Sequence, residues 1–315
     1  MPWTTPAALK EAGVVGMNAR NHRYILAYNQ RAHYTRVDDK LETKILAGKA
    51  GVPVPELLGA VRYQAQVKEL SKLLSDLDSF VIKPTKGSGG RGILVIVGRD
   101  KDGNFLKPSG EVQTMADVKR HVTNVLAGLY SLGGVPDVAM IERIIEFTEA
   151  FDGYSYQGVP DVRVIVFKGY PILAMTRLST SASDGKANLH QGAVGVGLGM
   201  KDGRAVRAVQ YDRPITEHPD TGKSFSELIV PQWREHLMIA TRCYSFIQMG
   251  YFGADVVIDK ELGTLILELN ARPGLAIQTA NGIGLRRRLD VLEALDDDEL
   301  PSVEERVDFA QEHFG

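Results

Sequence analysis

Apolar and polar positions recur along this chain at spacings that assign most of it to strands or helices. Residues 80–82 and 93–97 are β-branched apolar runs on either side of a loop with four glycines, so they read as a hairpin. Leu41, Lys44, Ile45 and Ala47 are spaced as one face of a helix that begins at Asp38-Asp39-Lys40 under an Asp cap and stops at Gly51. Further helices are predicted from about 20 to 34, over 65–77, over 115–132 and over 231–249, the last with Trp233, Leu237, Ala240, Tyr244 and Ile247 on one stripe. A strand is predicted over 138–145, a hairpin over 162–167 and 172–178, and a strand pair around 205–210. Between 179 and 199 Ser, Ala and Gly give way to alternating Gly and Val, a composition that predicts a mobile flap. Residues 286–314 read as a charged helical tail, and the whole as an α+β chain.

The strand pair over 253–259 and 264–270 carries the candidate chemistry. A four-residue loop at 260–263 sets Asp259 against Thr264, and counting back along both strands sets Asp255 opposite Glu268. The two carboxylates are then about 4.5–5.5 Å apart, where like charges repel, so something positive is expected between them. Asn270 falls on the face of Glu268, with Leu269 turned to the core. Asp255, Glu268 and Asn270 make a hard-oxygen set suited to Mg²⁺ that is also held by phosphates. A third carboxylate roughly 4 Å from a phosphate oxygen would add repulsion of about 4 kcal/mol at an effective dielectric near 20, which the neutral amide avoids. The alternative is a surface hairpin with solvated acids.

Gly87, Gly89, Gly90 and Gly92 let backbone N–H groups approach an anion closely, and Lys83, Lys86 and Arg91 add positive charge, so a polyphosphate is the natural guest. The loop is neither a P-loop nor a dinucleotide fingerprint, because it leads into a second strand. A plain glycine-rich turn is the competing reading. Lys40, in the first turn of its helix, opposes the helix dipole and either points to solvent or awaits an anion. Glu142, inside an apolar strand, either ends that strand in solvent or is bonded to a ligand.

With 315 residues, 44% of them hydrophobic, the chain can bury a sizeable core split over two or three lobes. A net charge of −2 offers no global attraction to nucleic acid or anionic lipid, so any anion site is local. No apolar run reaches the ~18 residues of a membrane span and the first residues lack a signal-peptide plan, so the cytoplasm is expected, with no nucleic acid and no membrane insertion. The single cysteine, Cys243, reads as a small buried hydrophobe of its helix.

Lys83, the glycine hairpin, Glu142-Arg143-Ile144, Asp161-Val162-Arg163, Lys186-Ala187-Asn188-Leu189-His190 and Glu268-Leu269-Asn270-Ala271-Arg272-Pro273-Gly274 follow one another in the order of ATP-grasp enzymes. Over residues 38–285 the chain resembles the RimK-type branch, the alpha-L-glutamate ligase-like proteins. The resemblance implies an ATP-grasp fold in which two α+β lobes sandwich ATP. Its parts would be an N-terminal helical segment over 1–37, a lobe with the glycine hairpin over 38–141, a lobe with the metal site over 142–285 and a charged tail over 286–315. It implies that Lys40 and Lys83 hold ATP phosphates under the loop of Lys86, Gly87, Ser88, Gly89 and Gly90, and that Glu142, Arg143 and Ile144 meet the adenine edge. Asp161 would bond the ribose hydroxyls, and Lys186 and Asn188 would come from the second flap. Asp255, Glu268 and Asn270 would hold one or two Mg²⁺ ions, with Mn²⁺ as a substitute. Related ligases carry a further domain before the helix at Asp38. Here 37 residues precede it, a shortened N-terminal region that predicts completion of the pocket by a second copy, a partner subunit or a large substrate. Arg272 replaces the small residue of close relatives, and its guanidinium either grips a carboxylate or makes a structural ion pair.

The implied activity is that of an ATP-dependent carboxylate–amine ligase, ADP-forming, working through an acyl phosphate. It would attach glutamate or another amino acid to an amine on a small molecule, peptide or protein. Arg163 and Arg177, on adjacent predicted strands, are the candidates for stabilising the carboxylate and the transferred phosphoryl group. No general base stands out. An ATP-grasp kinase acting on a hydroxyl or sugar would use the same metal set, whereas a non-catalytic ATP-binding partner would have no use for it.

Overall fold

The structure, a computed structural model, describes residues 4–87, 89–295 and 299–315. The chain forms two compact units, one of Asp38–Lys44 and Val54–Glu146, the other of the described residues up to Val37, Ile45–Pro53 and Phe147–Gly315.

The strands of the smaller unit are β1 (Leu57–Val61), β2 (Phe80–Pro84), β3 (Leu94–Ile96), β4 (Gly98–Arg99), β5 (Phe105–Leu106), β6 (Val112–Gln113) and β7 (Ala139–Glu142). Four form an antiparallel sheet in the order β1-β7-β2-β3, and the other three a small sheet. The expected glycine hairpin is present: Phe80 pairs with Ile96, Val81 with Val95 and Ile82 with Leu94. Phe80, Ile82 and Ile96 are buried against Val118, Val122 and Val125, which recur on one face of the helix Met115–Leu126. That helix opens on a Thr114/Asp117 capping box. It stops well short of residue 132 because Gly128 takes φ +81° with the Val135 carbonyl packed where a side chain would stand. The helix expected over 65–77 is a 3₁₀ stretch, Gln64–Glu69, followed by Leu70–Leu73.

In the larger unit β8 (Asp161–Phe167), β9 (Tyr170–Leu178), β10 (Val194–Leu198), β11 (Ala205–Gln210), β12 (Arg213–Ile215), β13 (Tyr251–Asp259) and β14 (Gly263–Asn270) make one sheet in the order β12-β11-β10-β9-β8-β13-β14. Lys168 and Gly169, both at positive φ, turn β8 into β9 as a two-residue hairpin matched to the strand twist. The helix Trp233–Ile247 packs across the sheet, with Gln232 bonded to Thr264 at 2.9 Å. Cys243 on it is fully buried, and burial pushes its thiol up out of the reactive range. Tyr24, on the helical stretch that begins at Met17, sits edge-on to Phe167 and stacks with Tyr251, so the N-terminal segment packs on this unit.

The flap expectation is corrected as well. Residues 194–198 are no flap but strand β10, buried at every position. Side chains at Gly195 and Gly197 would strike Leu189 and the backbone of Ala280 and Asn281, so the glycines let the helix Ala276–Asn281 lie close on the strand. Composition predicts flexibility only where nothing packs against the glycines.

His236 is a buried imidazole stacked with Trp233, and among the described residues nothing bonds its Nε2. Burial pushes its pKa down to about 4. The unfolded chain therefore takes a proton near pH 6.5 that the folded one refuses until about pH 4. Stability is full above 6.5 and falls as the pH drops between those values, by up to about 3 kcal/mol. Urea melts at pH 7.5 and 4.5 should show that loss shrinking by most of this amount in His236→Leu. Equal losses in the two proteins would mean that other groups carry the acid sensitivity.

Candidate functional site

In the smaller unit β2 and β7 bring three charges together. Glu142 lies across from Val81, and Lys83 projects from the same face of β2. The Glu142 carboxylate, 3% exposed, takes Lys83 Nζ at 2.7 Å on one oxygen and Lys44 Nζ at 2.5 Å on the other. Lys44 also donates to the Pro55 carbonyl. Burial pushes the Lys44 ammonium down and Glu142 pulls it back in part, while Glu142 is held below the usual carboxylate range because Lys83 and Lys44 outweigh its burial. Two ammoniums on one carboxylate leave a buried surplus of one positive charge.

Lys44 escaped sequence reading as a site residue, although a lysine inside the apolar stripe of Leu41, Ile45 and Ala47 was the signal. Lys40 resolves differently from both expectations: its Nζ donates to the Gly87 carbonyl at 2.7 Å and its backbone N–H to Thr85 at 3.0 Å. Asp137, also unremarked in the sequence, fixes the same root. Its carboxylate accepts from Thr85 Oγ1 at 2.7 Å, Ser131 Oγ at 2.6 Å and the Lys86 N–H at 3.1 Å. Lys86 Nζ reaches the Pro136 carbonyl. Beyond this anchored root Gly89 and Gly90 take φ of 63° and 73° in open surroundings, a conformation that glycine adopts without strain. Ser88 lies outside the described residues. The Glu142 side chain meets lysines, the Arg143 N–H donates to the Glu56 carbonyl, and Ile144 follows them half-buried.

In the larger unit Asp255 pairs with Glu268 across β13 and β14, as counted from the sequence, but by another route. The loop is one residue shorter than predicted, so Asp259 faces Gly263, and a bulge at Leu267 restores the parity. The positive charge expected between the two carboxylates is not what Asp255 meets; its partners are a pair of arginines from the strands on its other side, β8 and β9. Arg163, directly across on β8, donates Nε to Oδ1 at 2.7 Å and Nη2 to Oδ2 at 2.6 Å. Arg177 on β9 donates Nη2 to Asp255 Oδ2 at 2.7 Å and Nε to Asp161 Oδ1 at 2.8 Å, with a second bond to Asp161 Oδ2. Burial alone would lift Asp255, but the two guanidiniums hold it below the usual carboxylate range. Asp161 and Asp255 in turn keep Arg177 fully charged. With its carboxylate 3% exposed and clasped by Arg177, Asp161 orients that guanidinium and does not face solvent as a ribose contact would.

Asn270 Oδ1 accepts the Arg272 N–H at 2.8 Å and so shapes the turn after β14, while the Arg272 guanidinium lies 4.5 Å from the Tyr34 ring centroid. The Pro273 carbonyl of that turn takes Arg20 Nη1 at 2.9 Å. Lys186 pairs with Asp184 at the surface, and Asn188 caps the 3₁₀ turn Leu189–Gln191. Among the described residues no three His, Cys, Asp or Glu side chains converge as metal ligands. What the sheet face offers a cation is Glu268, the Asn270 amide oxygen and Asp255, the last only if it shares its oxygens with the arginines. That hard-oxygen chemistry fits Mg²⁺.

Residues 19–294 match the family model described as sugar-transfer associated ATP-grasp. No curated protein matches the sequence. Among solved structures, the chain is similar to the ATP-grasp ligase PsnB complexed with minimal precursor, Mg and ADP. The two are 15% identical, with 85% of this chain and 61% of that one covered and a TM-score of 0.46. It is similar as well to the D-alanine-D-alanine ligase from Coxiella burnetii, at 14% identity, 90% and 61% coverage and a TM-score of 0.48. For D-alanyl-alanine synthetase A from Vibrio cholerae the values are 8%, 91% and 67%, and 0.48. The chain spans about three fifths of the length of the PsnB structures.

Proposed function

The chain belongs to the sugar-transfer associated ATP-grasp family, and from that premise we propose that it is an ATP-dependent, ADP-forming carboxylate–amine ligase of α+β ATP-grasp fold. The observation that carries the reading is the buried surplus positive charge of Lys44 and Lys83 on Glu142, beside a loop in which Gly89 and Gly90 take positive φ. A polyphosphate answers that surplus better than any neutral ligand. Lys44, Lys83 and the loop from Lys86 to Gly90 would bind the phosphates, with Lys40 and Asp137 holding the loop's root. Glu268 and Asn270, with Asp255, would hold Mg²⁺, which when bound offsets charge on the phosphates.

In the reaction proposed, an oxygen of the substrate carboxylate attacks the γ-phosphorus and ADP leaves. The amine then attacks the carbonyl carbon of the acyl phosphate and phosphate leaves, the amine's proton passing to solvent. Arg163 and Arg177 would steady the carboxylate and the transferred group by charge-assisted bonds. Arg272, stacked on Tyr34, would meet the acid's far end. The narrower placement as a RimK-type, glutamate-ligase-like protein of the cytoplasm, completed by a second copy or a partner, belongs to this proposal too. The family's description favours an acceptor carried on a sugar or glycan, and with it a second reading, a kinase acting on a sugar hydroxyl.

Hydroxylamine separates the two. With ATP, Mg²⁺ and a panel of amino and sugar acids, the ligase forms a hydroxamate in step with ADP for the right acid. A stable phosphoester, formed faster from a hydroxyl substrate than any hydroxamate, would establish the kinase instead.

A further inference from the structure

Asp255 is the meeting point of two kinds of neighbour, Glu268 on one side and Arg163 on the other. Both of its oxygens are occupied by guanidinium N–H groups of Arg163 and Arg177, and Arg177 is clasped from its other side by Asp161. In that state the arginine donors that would bind an oxyanion point at Asp255 and Asp161, whose two charges match theirs. A divalent cation on Asp255 and Glu268 adds two positive charges to this face and competes for the oxygens that hold the arginines. The Arg163 and Arg177 side chains are 11% and 16% exposed, close enough to the surface for a small anion to reach.

We propose that Arg163 and Arg177 form an oxyanion site masked by Asp255, and that a divalent cation unmasks it by taking the Asp255 oxygens. The ligand is a carboxylate or a phosphoryl group, either of which matches the planar fork of a guanidinium. The inference rests on the reading of this face as a cation site. It adds an order of events: the anion site opens only once the cation is in place.

The full chain is titrated calorimetrically with inorganic phosphate and, separately, acetate, in EDTA and in saturating Mg²⁺, with no nucleotide. Binding should be at least tenfold tighter in Mg²⁺, and the anion should tighten Mg²⁺ by the same factor. The tighter of the two anions identifies the group for which the site is built. Failure of both to bind in Mg²⁺ overturns the proposal. Simple attraction between cation and anion would also produce coupling, so Asp255→Asn decides. Its amide takes away the counter-charge of Arg163 and leaves Arg177 only Asp161, and the variant should bind the anion in EDTA at least tenfold more tightly than the wild type does in EDTA. Equal or weaker binding overturns the proposal.

If that variant does not fold, the wild type answers alone. Phenylglyoxal labelling read by peptide mass spectrometry should rise several-fold at Arg163 and Arg177 on adding Mg²⁺, with the surface residue Arg120 as the unchanged control. Labelling that does not respond to Mg²⁺ overturns the mask. Failure of the ligase reading is distinguishable, because it appears as absent ADP release with every acid and leaves the coupling of Mg²⁺ to phosphate measurable.

Discussion

Glu142→Ala should lower stability by about 3–5 kcal/mol, the usual cost of stripping one partner from a buried ion cluster. The reason lies in what remains. Lys44 and Lys83 are 9% and 15% exposed, and without the carboxylate two ammoniums share a space that water barely enters. Lys44, already pushed down by burial, would lose its proton or be expelled. Replacing all three residues by apolar ones of similar size (Lys44→Met, Lys83→Met and Glu142→Leu) removes the charges together and should recover most of the stability. The same triple variant should bind no ATP. Urea denaturation and ATP titration of both proteins separate the structural role from the functional one. A Glu142→Ala protein within 1 kcal/mol of wild type would mean that the lysines are solvated, and wild-type ATP affinity in the triple variant would remove them from the site.

This cluster also shows where reading the sequence stops. Periodicity placed Lys44 correctly on the inner face of its helix, yet an inward lysine is informative only once its counter-charge is known, and Glu142 lies about a hundred residues away. Glu142 was legible as an anomaly for the same reason, an acid in an apolar strand, but the identity of its partner was not. Asp137 left no signal at all. It follows Gly-Gly-Val-Pro in a stretch that reads as a loop, and its role exists only because β7 brings it beside Thr85 and Ser131.

The face of Asp255 and Glu268 was more legible, since strand alternation over short distances constrains it. The glycine hairpin, the β8–β9 hairpin and the pairing of Asp255 with Glu268 all follow from local pattern. The pairing survived a miscounted loop because the run Leu265-Ile266-Leu267 is apolar throughout, so the pattern could not reveal the bulge that compensates. The arginines were legible as residues near the face but not as partners of Asp255, because their contact depends on β8 lying between β9 and β13 in a seven-stranded order. Order among distant strands is not written in local periodicity. The buried β10 escaped for the same reason, its glycines being explained by a helix eighty residues further on.

The two facing carboxylates should respond to neutralisation in opposite ways. Asp255 bonds both Arg163 and Arg177 and, with Asp161, balances their charge, so Asp255→Asn should cost several kcal/mol, about 3–5 if the guanidiniums stay buried. Glu268 is half-buried on the sheet's edge strand, so Glu268→Gln should cost less stability than Asp255→Asn. Its effect on the reaction should be large. On the proposed reading Glu268 holds the cation, and its loss should lower kcat/KM by about 10²–10³-fold, the range for removing a group that stabilises transition-state charge. Circular dichroism melts and coupled ADP-release assays over a range of Mg²⁺ concentrations measure both effects. The deficit should shrink as Mg²⁺ rises, because a weakened cation site is refilled by mass action. A Glu268→Gln protein that turns over at the wild-type rate in low Mg²⁺ would remove this face from the chemistry.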